Sequence, residues 1–164
     1  MSNLEIERRF LLIDDSWTNA EIQLTQRIIQ SYVELKDGNC ERMRVTEGFG
    51  FSSATHTVKQ RISDITRTET ETVVPVIDAI GWLVNAPNSM IDKTRHMIEQ
   101  LDDGIVWEID VFHGSNHGLV IAEVELKSET QEFTLPPWIG QDITSDYKYT
   151  NLQLSLMPYK HWNP

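Results

Sequence analysis

The sequence predicts a mainly β protein of the α+β class, an eight-stranded antiparallel β-barrel with flanking helices. Three observations carry that reading. Charged residues recur at every second position inside apolar or β-branched stretches, the period of a strand and not of a helix. Eight strand-like stretches, at least five of them with this alternation, follow one another between residues 3 and 127, separated by turn signals. Only two stretches carry helical signals, and eight strands are enough to close a small barrel.

Taken in order, residues 3–13 read as the first strand, broken by Asp14-Asp15-Ser16. Residues 25–36 and 41–47 form a hairpin across Asp37-Gly38-Asn39. Residues 55–61 and 66–74 form another antiparallel pair. After Pro75 a helix is expected over 76–85, with Ile77, Ile80 and Val84 as its apolar stripe and Ala86-Pro87-Asn88 as its stop. Strands follow at 91–100, 104–113 and 119–127, the first two joined at Asp102-Asp103-Gly104. Beyond residue 128 the chain is polar until Pro136-Pro137-Trp138, which would seat a loop against the barrel end. A last helix is expected over 146–156, with Ser145 as N-cap and Tyr149, Leu152 and Leu156 as its stripe. No repeat or linker interrupts residues 1–164, so they are read as one domain.

The alternating charges are the candidate site. Glu5, Glu7 and Arg9 share one strand face, as do Arg42 and Arg44; Arg67, Glu69 and Glu71; Lys93 and Arg95; Glu108 and Asp110; and Glu123 and Glu125. Lys59 joins the basic set. Each E-x-E pair sets two carboxylates about 7 Å apart along one face. Such pairs suit Mg²⁺ or Mn²⁺, with Asp110 counted as a further ligand, while the arginines and lysines suit phosphate oxygens. Ion pairing across a solvated sheet would also alternate charges. It explains less well why the opposite face is apolar in nearly every strand. A closed barrel with charge inside and helices over an apolar outside accounts for both.

Bulk properties narrow the classes. With 14 Lys and Arg against 25 Asp and Glu, the net charge is −11, which argues against general nucleic-acid binding. One cysteine, Cys40, read as a bystander in a turn, excludes an intrachain disulfide. No apolar run is long enough for a membrane span, and Glu5 and Glu7 interrupt any leader pattern, so a cytoplasmic location is expected. The five histidines lack zinc or triad spacing, and no Gly-rich phosphate loop is present, so phosphate binding must rest on side chains.

In order along the chain, these elements resemble the motifs of the CYTH, or triphosphate tunnel metalloenzyme, family. Glu5-Ile6-Glu7-Arg8-Arg9 is similar to its E-x-E-x-K signature, Arg42-x-Arg44 to R-x-R, and Thr57-Val58-Lys59 to T-x-K. Arg67-x-Glu69-x-Glu71 is similar to R-x-E-x-E and Lys93-Thr94-Arg95 to K-x-R. Trp107 to Phe112, Gly118-Leu119 and Ala122 to Leu126 resemble a W-x-I-D-x-F, G-L and A-E-x-E-L block, and Asp146 to Asn151 the terminal D-x-R/K-Y-x-N motif, which contributes Lys148. The resemblance implies an eight-stranded tunnel in which Glu5, Glu7, Glu123 and Glu125 hold divalent metal. It implies that Arg42, Arg44, Lys59, Arg67, Lys93, Arg95 and Lys148 grip a phosphate chain. Glu69, Glu71 and Glu108 would be supporting acids, and Glu5, Glu7 and Arg9 catalytic.

Hydrolysis of inorganic tripolyphosphate or an organic triphosphate is the implied activity. A class IV adenylyl cyclase or a non-catalytic polyphosphate binder are the alternatives, and a homodimer is admitted. One position departs: Arg9 stands where the family has a lysine linked to orienting or activating water, and arginine cannot act as a base.

Overall fold

Period-two alternation decides the architecture. The computed structural model describes residues 3–162. The predicted strands are β1 (Asn3–Leu12), β2 (Leu24–Glu34), β3 (Cys40–Gly48), β4 (Phe51–Arg61), β5 (Thr66–Val74), β6 (Ile91–Gln100), β7 (Ile105–Phe112) and β8 (Val120–Glu125). They are antiparallel in the order β5-β4-β3-β2-β6-β7-β8-β1, and a pairing of β1 with β5 closes the barrel. β1 does this by dividing its length. Asn3–Ile6 pair with β5, and Glu7–Leu11 pair with β8.

A ninth strand, β9 (Ile139–Asp142), was not expected. It pairs with the end of β1 at Phe10 and Leu12. Its four residues include Gly140, which weakens any strand signal. The glycine has a reason: a Cβ there would lie 3.0 Å from the Leu11 carbonyl oxygen. β4 also starts earlier than expected, because Phe49 and Gly50, with φ of 51° and 78°, make a two-residue turn between β3 and β4. Cys40 opens β3 and is buried, so it is a strand residue and not a turn residue.

The barrel is inside-out relative to a packed one. On β1, β7 and β8, Ile6, Phe10, Trp107, Ile109, Ala122 and Val124 face away from the charged set and form one apolar cluster. That outer face is covered by Trp17, from a 3₁₀ turn at Asp15–Asn19, and by Trp138 and Phe133. Trp138 stacks edge-on against Trp107 at 5.7 Å, so the Pro136-Pro137-Trp138 loop seats on the outer wall and not on the barrel end expected for it. A loop and not a helix therefore covers this wall. The helix α1 (Val76–Val84) covers Met43, Val45 and Ala54 on β3 and β4.

Two helix readings need correction. The expected stripe of α1 is turned outward: Ile77, Ile80 and Val84 are 73%, 45% and 76% exposed, while Ala79 and Leu83 are buried. The helix is apolar on most of its circumference, so periodicity alone cannot choose a face. Ala79, fully buried beside Ala54 in the same cluster, lets the helix lie close to the sheet. The expected helix over 146–156 is a 3₁₀ turn at Tyr147–Tyr149 followed by α2 (Asn151–Leu156). Ser145 caps neither. Asp146 accepts from the Lys148 amide, and Thr150 from the Gln153 amide. Leu152 is buried, Tyr149 is half-buried, and Leu156 is exposed where Leu154 takes the inner position.

The C-terminal segment closes one barrel end. Ile91, Phe112 and Ile121 share the inward face with the charged residues two positions along each strand, and they cluster with Ile143, Leu152 and Leu154. The described residues contain no helix long and apolar enough to cross a membrane.

The reversed face of α1 generates a test by chemical denaturation. Leu83→Ala should cost about 2–5 kcal/mol, as large-to-small changes in a core do. Ile77→Ser should stay within about 0.5 kcal/mol, as surface changes do.

Candidate functional site

The inward faces enclose a cavity of about 300 Å³. Of the residues singled out in the sequence, Glu5, Glu7, Arg9, Arg42, Arg44, Lys59, Arg67, Glu69, Glu71, Lys93, Arg95, Glu108, Glu123 and Glu125 all line it. Two do not. Asp110 lies behind the lining, fully buried. Lys148 projects outside, 55% exposed, against the Tyr149 and Trp162 rings.

Strand register sets the pairings. Arg95 and Asp110 are opposite one another on β6 and β7, and Glu108 and Glu123 are opposite on β7 and β8. Arg95 donates Nε to Asp110 at 2.7 Å and Nη2 to Glu123 at 2.7 Å, and it also pairs with Glu108. Lys93 Nζ donates to Asp110 at 2.5 Å. Both Asp110 oxygens are thus taken by cations, which hold its carboxyl well below the usual range although burial opposes this. Asp110 positions Lys93 and Arg95; it has no oxygen left free of a cation for a metal ion.

On the opposite wall Arg67 spans Glu5 and Glu7, reaching Glu7 at 2.7 Å. Burial works against Glu7, but Arg67 and Arg9 hold its carboxyl below the ordinary value. Lys59 pairs with Glu69 and lies 3.6 Å from Glu5. Arg42 donates to Thr57 at 2.9 Å and to Glu71 at 3.2 Å.

Two groups stand outside this pairing. Among the described residues no ion pair reaches Arg44, whose Nε donates to Gln30 Oε1 at 2.7 Å. Burial, then Arg42 and Arg95, bring its pKa down to about 10. Glu125 likewise has no cationic partner among the described residues. Burial, then Glu5, Glu108 and Glu7, raise its carboxyl pKa. Its neighbour Glu123 is pushed up to about 7 by burial and by Glu7 and Asp110, despite the Arg95 contact. Burial, Arg42 and Arg67 lower Lys59 to about 8. Among the described residues Glu125 is therefore left without a cation and Arg44 without an anion, and both face one cavity.

The metal reading can be tested on these groups. Among the described residues no three acidic, histidine or cysteine side chains converge closely enough to hold an ion. The donor chemistry still fits. Glu7 faces Glu125 across the β1–β8 pairing, and Glu123 lies two residues along the same face. Carboxylates with raised proton affinity, crowded by other carboxylates, are oxygen donors suited to a hard divalent cation.

Several contributors were not singled out in the sequence. Arg61 and Tyr147 line the cavity. Arg61 continues the Thr57, Lys59 alternation on β4, a signal that was legible. Gln30 and Asn151 hold charged residues through their side-chain amides and Thr144 through its backbone carbonyl; Asn151 was marked only as the last residue of the terminal motif, and nothing in the sequence marked Gln30 or Thr144. Arg9 is buried at 7% exposure. Its Nη1 lies 3.4 Å from Glu7, and its Nη2 donates to the Thr144 carbonyl at 3.0 Å.

No family model matches the chain. Individual proteins do. An inorganic triphosphatase of Acetivibrio thermocellus is 35% identical over 161 residues, spanning 96% of this chain and 97% of its own. An inorganic triphosphatase of Nitrosomonas europaea is 31% identical, spanning 93% and 97%. The crystal structure of an inorganic triphosphatase superposes with a TM-score of 0.63 at 30% identity, covering 93% of this chain and 94% of that one. Near-complete coverage at these identities, over a closed barrel with a charged interior, means that the chain belongs to the CYTH, or triphosphate tunnel metalloenzyme, family.

Proposed function

We propose that this protein hydrolyses inorganic triphosphate within the barrel, with Mg²⁺ or Mn²⁺ as cofactor. The observation that carries the reading is the separation of unmatched charge. Among the described residues Glu125 has no cationic partner and Arg44 has no anionic one, and both line the same cavity. A short phosphate chain with a divalent cation supplies both missing partners at once. About 300 Å³ is also at the small end of ligand cavities, which suits a compact anion over a nucleotide. The named activity of the two relatives agrees with this choice.

The reaction is in-line attack of water on a terminal phosphorus, breaking one phosphoric anhydride bond and releasing orthophosphate and pyrophosphate. Glu5, Glu7, Glu123 and Glu125 would hold the metal, which when bound supplies charge neutralisation and Lewis acidity. Arg42, Arg44, Lys59, Lys93 and Arg95 would grip the non-bridging oxygens. Their charges are fixed in a buried wall before substrate arrives, so little reorganisation is needed as charge shifts to the leaving pyrophosphate. Asp110, Gln30 and Thr57 hold those cations in place. The closed apolar end excludes bulk water from one side of the cavity. Lys148, outside the cavity, takes no part.

The direct experiment incubates the protein with tripolyphosphate, thiamine triphosphate and ATP, with Mg²⁺, with Mn²⁺ or with excess EDTA, and identifies the products. Orthophosphate and pyrophosphate from tripolyphosphate, lost in EDTA, are expected. Cyclic nucleotide from ATP, or binding with no turnover, would overturn the proposal.

Glu125→Gln should lower kcat by about a hundredfold or more, roughly 2.7 kcal/mol of barrier, without loss of thermal stability. Removing one of several crowded carboxylates relieves repulsion in the metal-free protein. Arg44→Ala should instead raise KM by at least about tenfold. Steady-state kinetics and a melting curve for each variant check both.

Glu123 also predicts a pH dependence of stability in EDTA. Its folded pKa, about 7, lies above its ordinary 4.5. Between those values the folded state binds the proton and the unfolded state releases it. Its contribution is therefore complete below about pH 4.5 and is lost as pH rises through about 7. Urea titrations at pH 5, 6, 7 and 8 should show that fall, and Glu123→Gln should flatten it.

A further inference from the structure

We infer that Arg9 is a positioning residue that fastens the C-terminal wall of the cavity to β1. Thr144, Ser145, Tyr147, Thr150 and Asn151 form that wall. The segment is held at two polar points. At one, Asn151 Oδ1 accepts from Gln30 at 3.2 Å and from Lys93 at 3.3 Å. At the other, β1 grips residues 142–144 from both of its faces. Arg8, on the outer face, pairs with Asp142. Arg9, on the inner face, donates Nη2 to the Thr144 carbonyl at 3.0 Å, and its backbone amide donates to Thr144 Oγ1 at 3.1 Å. The Ile143 amide returns a bond to the Arg9 carbonyl at 2.9 Å.

The fork of the guanidinium is what makes this contact. Nη2 holds the C-terminal wall while Nη1 faces Glu7 at 3.4 Å, so one side chain links the wall to a carboxylate of the site. A lysine ammonium is a compact point charge on a flexible stem and has no planar fork to hold both in fixed geometry. Arg9 Nε is buried without a protein partner among the described residues, which leaves one donor of a residue lining the cavity uncommitted. A guanidinium in this position cannot accept a proton from water. Arg9 acts through the wall it holds.

The test compares Arg9→Lys and Thr144→Val with the wild type. Thr144→Val removes the hydroxyl end of the clamp and serves if Arg9→Lys folds poorly. Hydrogen exchange in the free protein should rise about tenfold or more for amides 143–152 in both variants, with β6 and β7 amides at wild-type rates. With tripolyphosphate and Mg²⁺, KM should rise about tenfold while kcat changes less than about threefold. Unchanged exchange over 143–152 in both variants would overturn the inference. So would a tenfold or greater rise in kcat for Arg9→Lys, which would make position 9 a water-activating site. The kinetic arm rests on the proposed function; the exchange arm does not. A wild-type protein inert toward tripolyphosphate would therefore remove the proposed function and leave this inference to be decided by exchange alone.

Discussion

The Asp110–Lys93–Arg95 cluster is the interaction on which the rest of the barrel depends. Asp110 and Lys93 are fully buried, and Arg95 is nearly so. Removing three ionised groups from water costs several kcal/mol each, and only tight mutual pairing offsets that cost. The register of β6 against β7 supplies the pairing by placing Arg95 directly opposite Asp110. Loss of one partner would leave a buried charge uncompensated, typically worth 3–5 kcal/mol. This cluster makes a charged interior compatible with a folded barrel, and it also aims two cations into the cavity.

From that fixed cluster, compensation weakens in two directions. Toward β8 and β1, carboxylates outnumber the cations that reach them, so Glu123 and Glu125 have raised proton affinity. Toward β2 and β3, Arg44 rests on the neutral Gln30. Native structures rarely leave buried charges short of partners without a function for the gap. Here the two gaps are complementary, and they open into one cavity, so a ligand carrying both signs of charge satisfies them together.

The two ends of the barrel differ for a related reason. At one end the inward positions change from charged to apolar, at Ile91, Phe112 and Ile121, and the C-terminal segment packs over them. Burial of those side chains anchors the segment energetically, while Arg9, Gln30 and Lys93 fix its position. The wall that completes the cavity is therefore built from residues more than a hundred positions away from β1.

Much of this was legible in the sequence because a strand has a two-residue period and a barrel has only two faces. Alternation and turn signals identified eight strands, the shared face of Glu5, Glu7, Arg42, Arg44, Lys59, Arg95, Glu123 and Glu125, and the apolar outer face. Alternation carries no information about partners. It placed Asp110 among the metal ligands because it cannot see Lys93 and Arg95 occupying both oxygens. The motif resemblance placed Lys148 with the phosphate-binding set, and a motif does not state which side of a wall a side chain faces; Lys148 lies outside the cavity. Helical spacing took the wrong stripe of α1, since a helix apolar nearly all round is oriented by the surface it meets. The sequence by itself determined a closed β-barrel with charge on its inner face, because local sterics and the hydrophobic effect act on neighbouring residues. The tertiary structure decided which charges are neutralised and which remain free. That depends on strand register and on one C-terminal segment, both of which bring together residues that are distant in the chain.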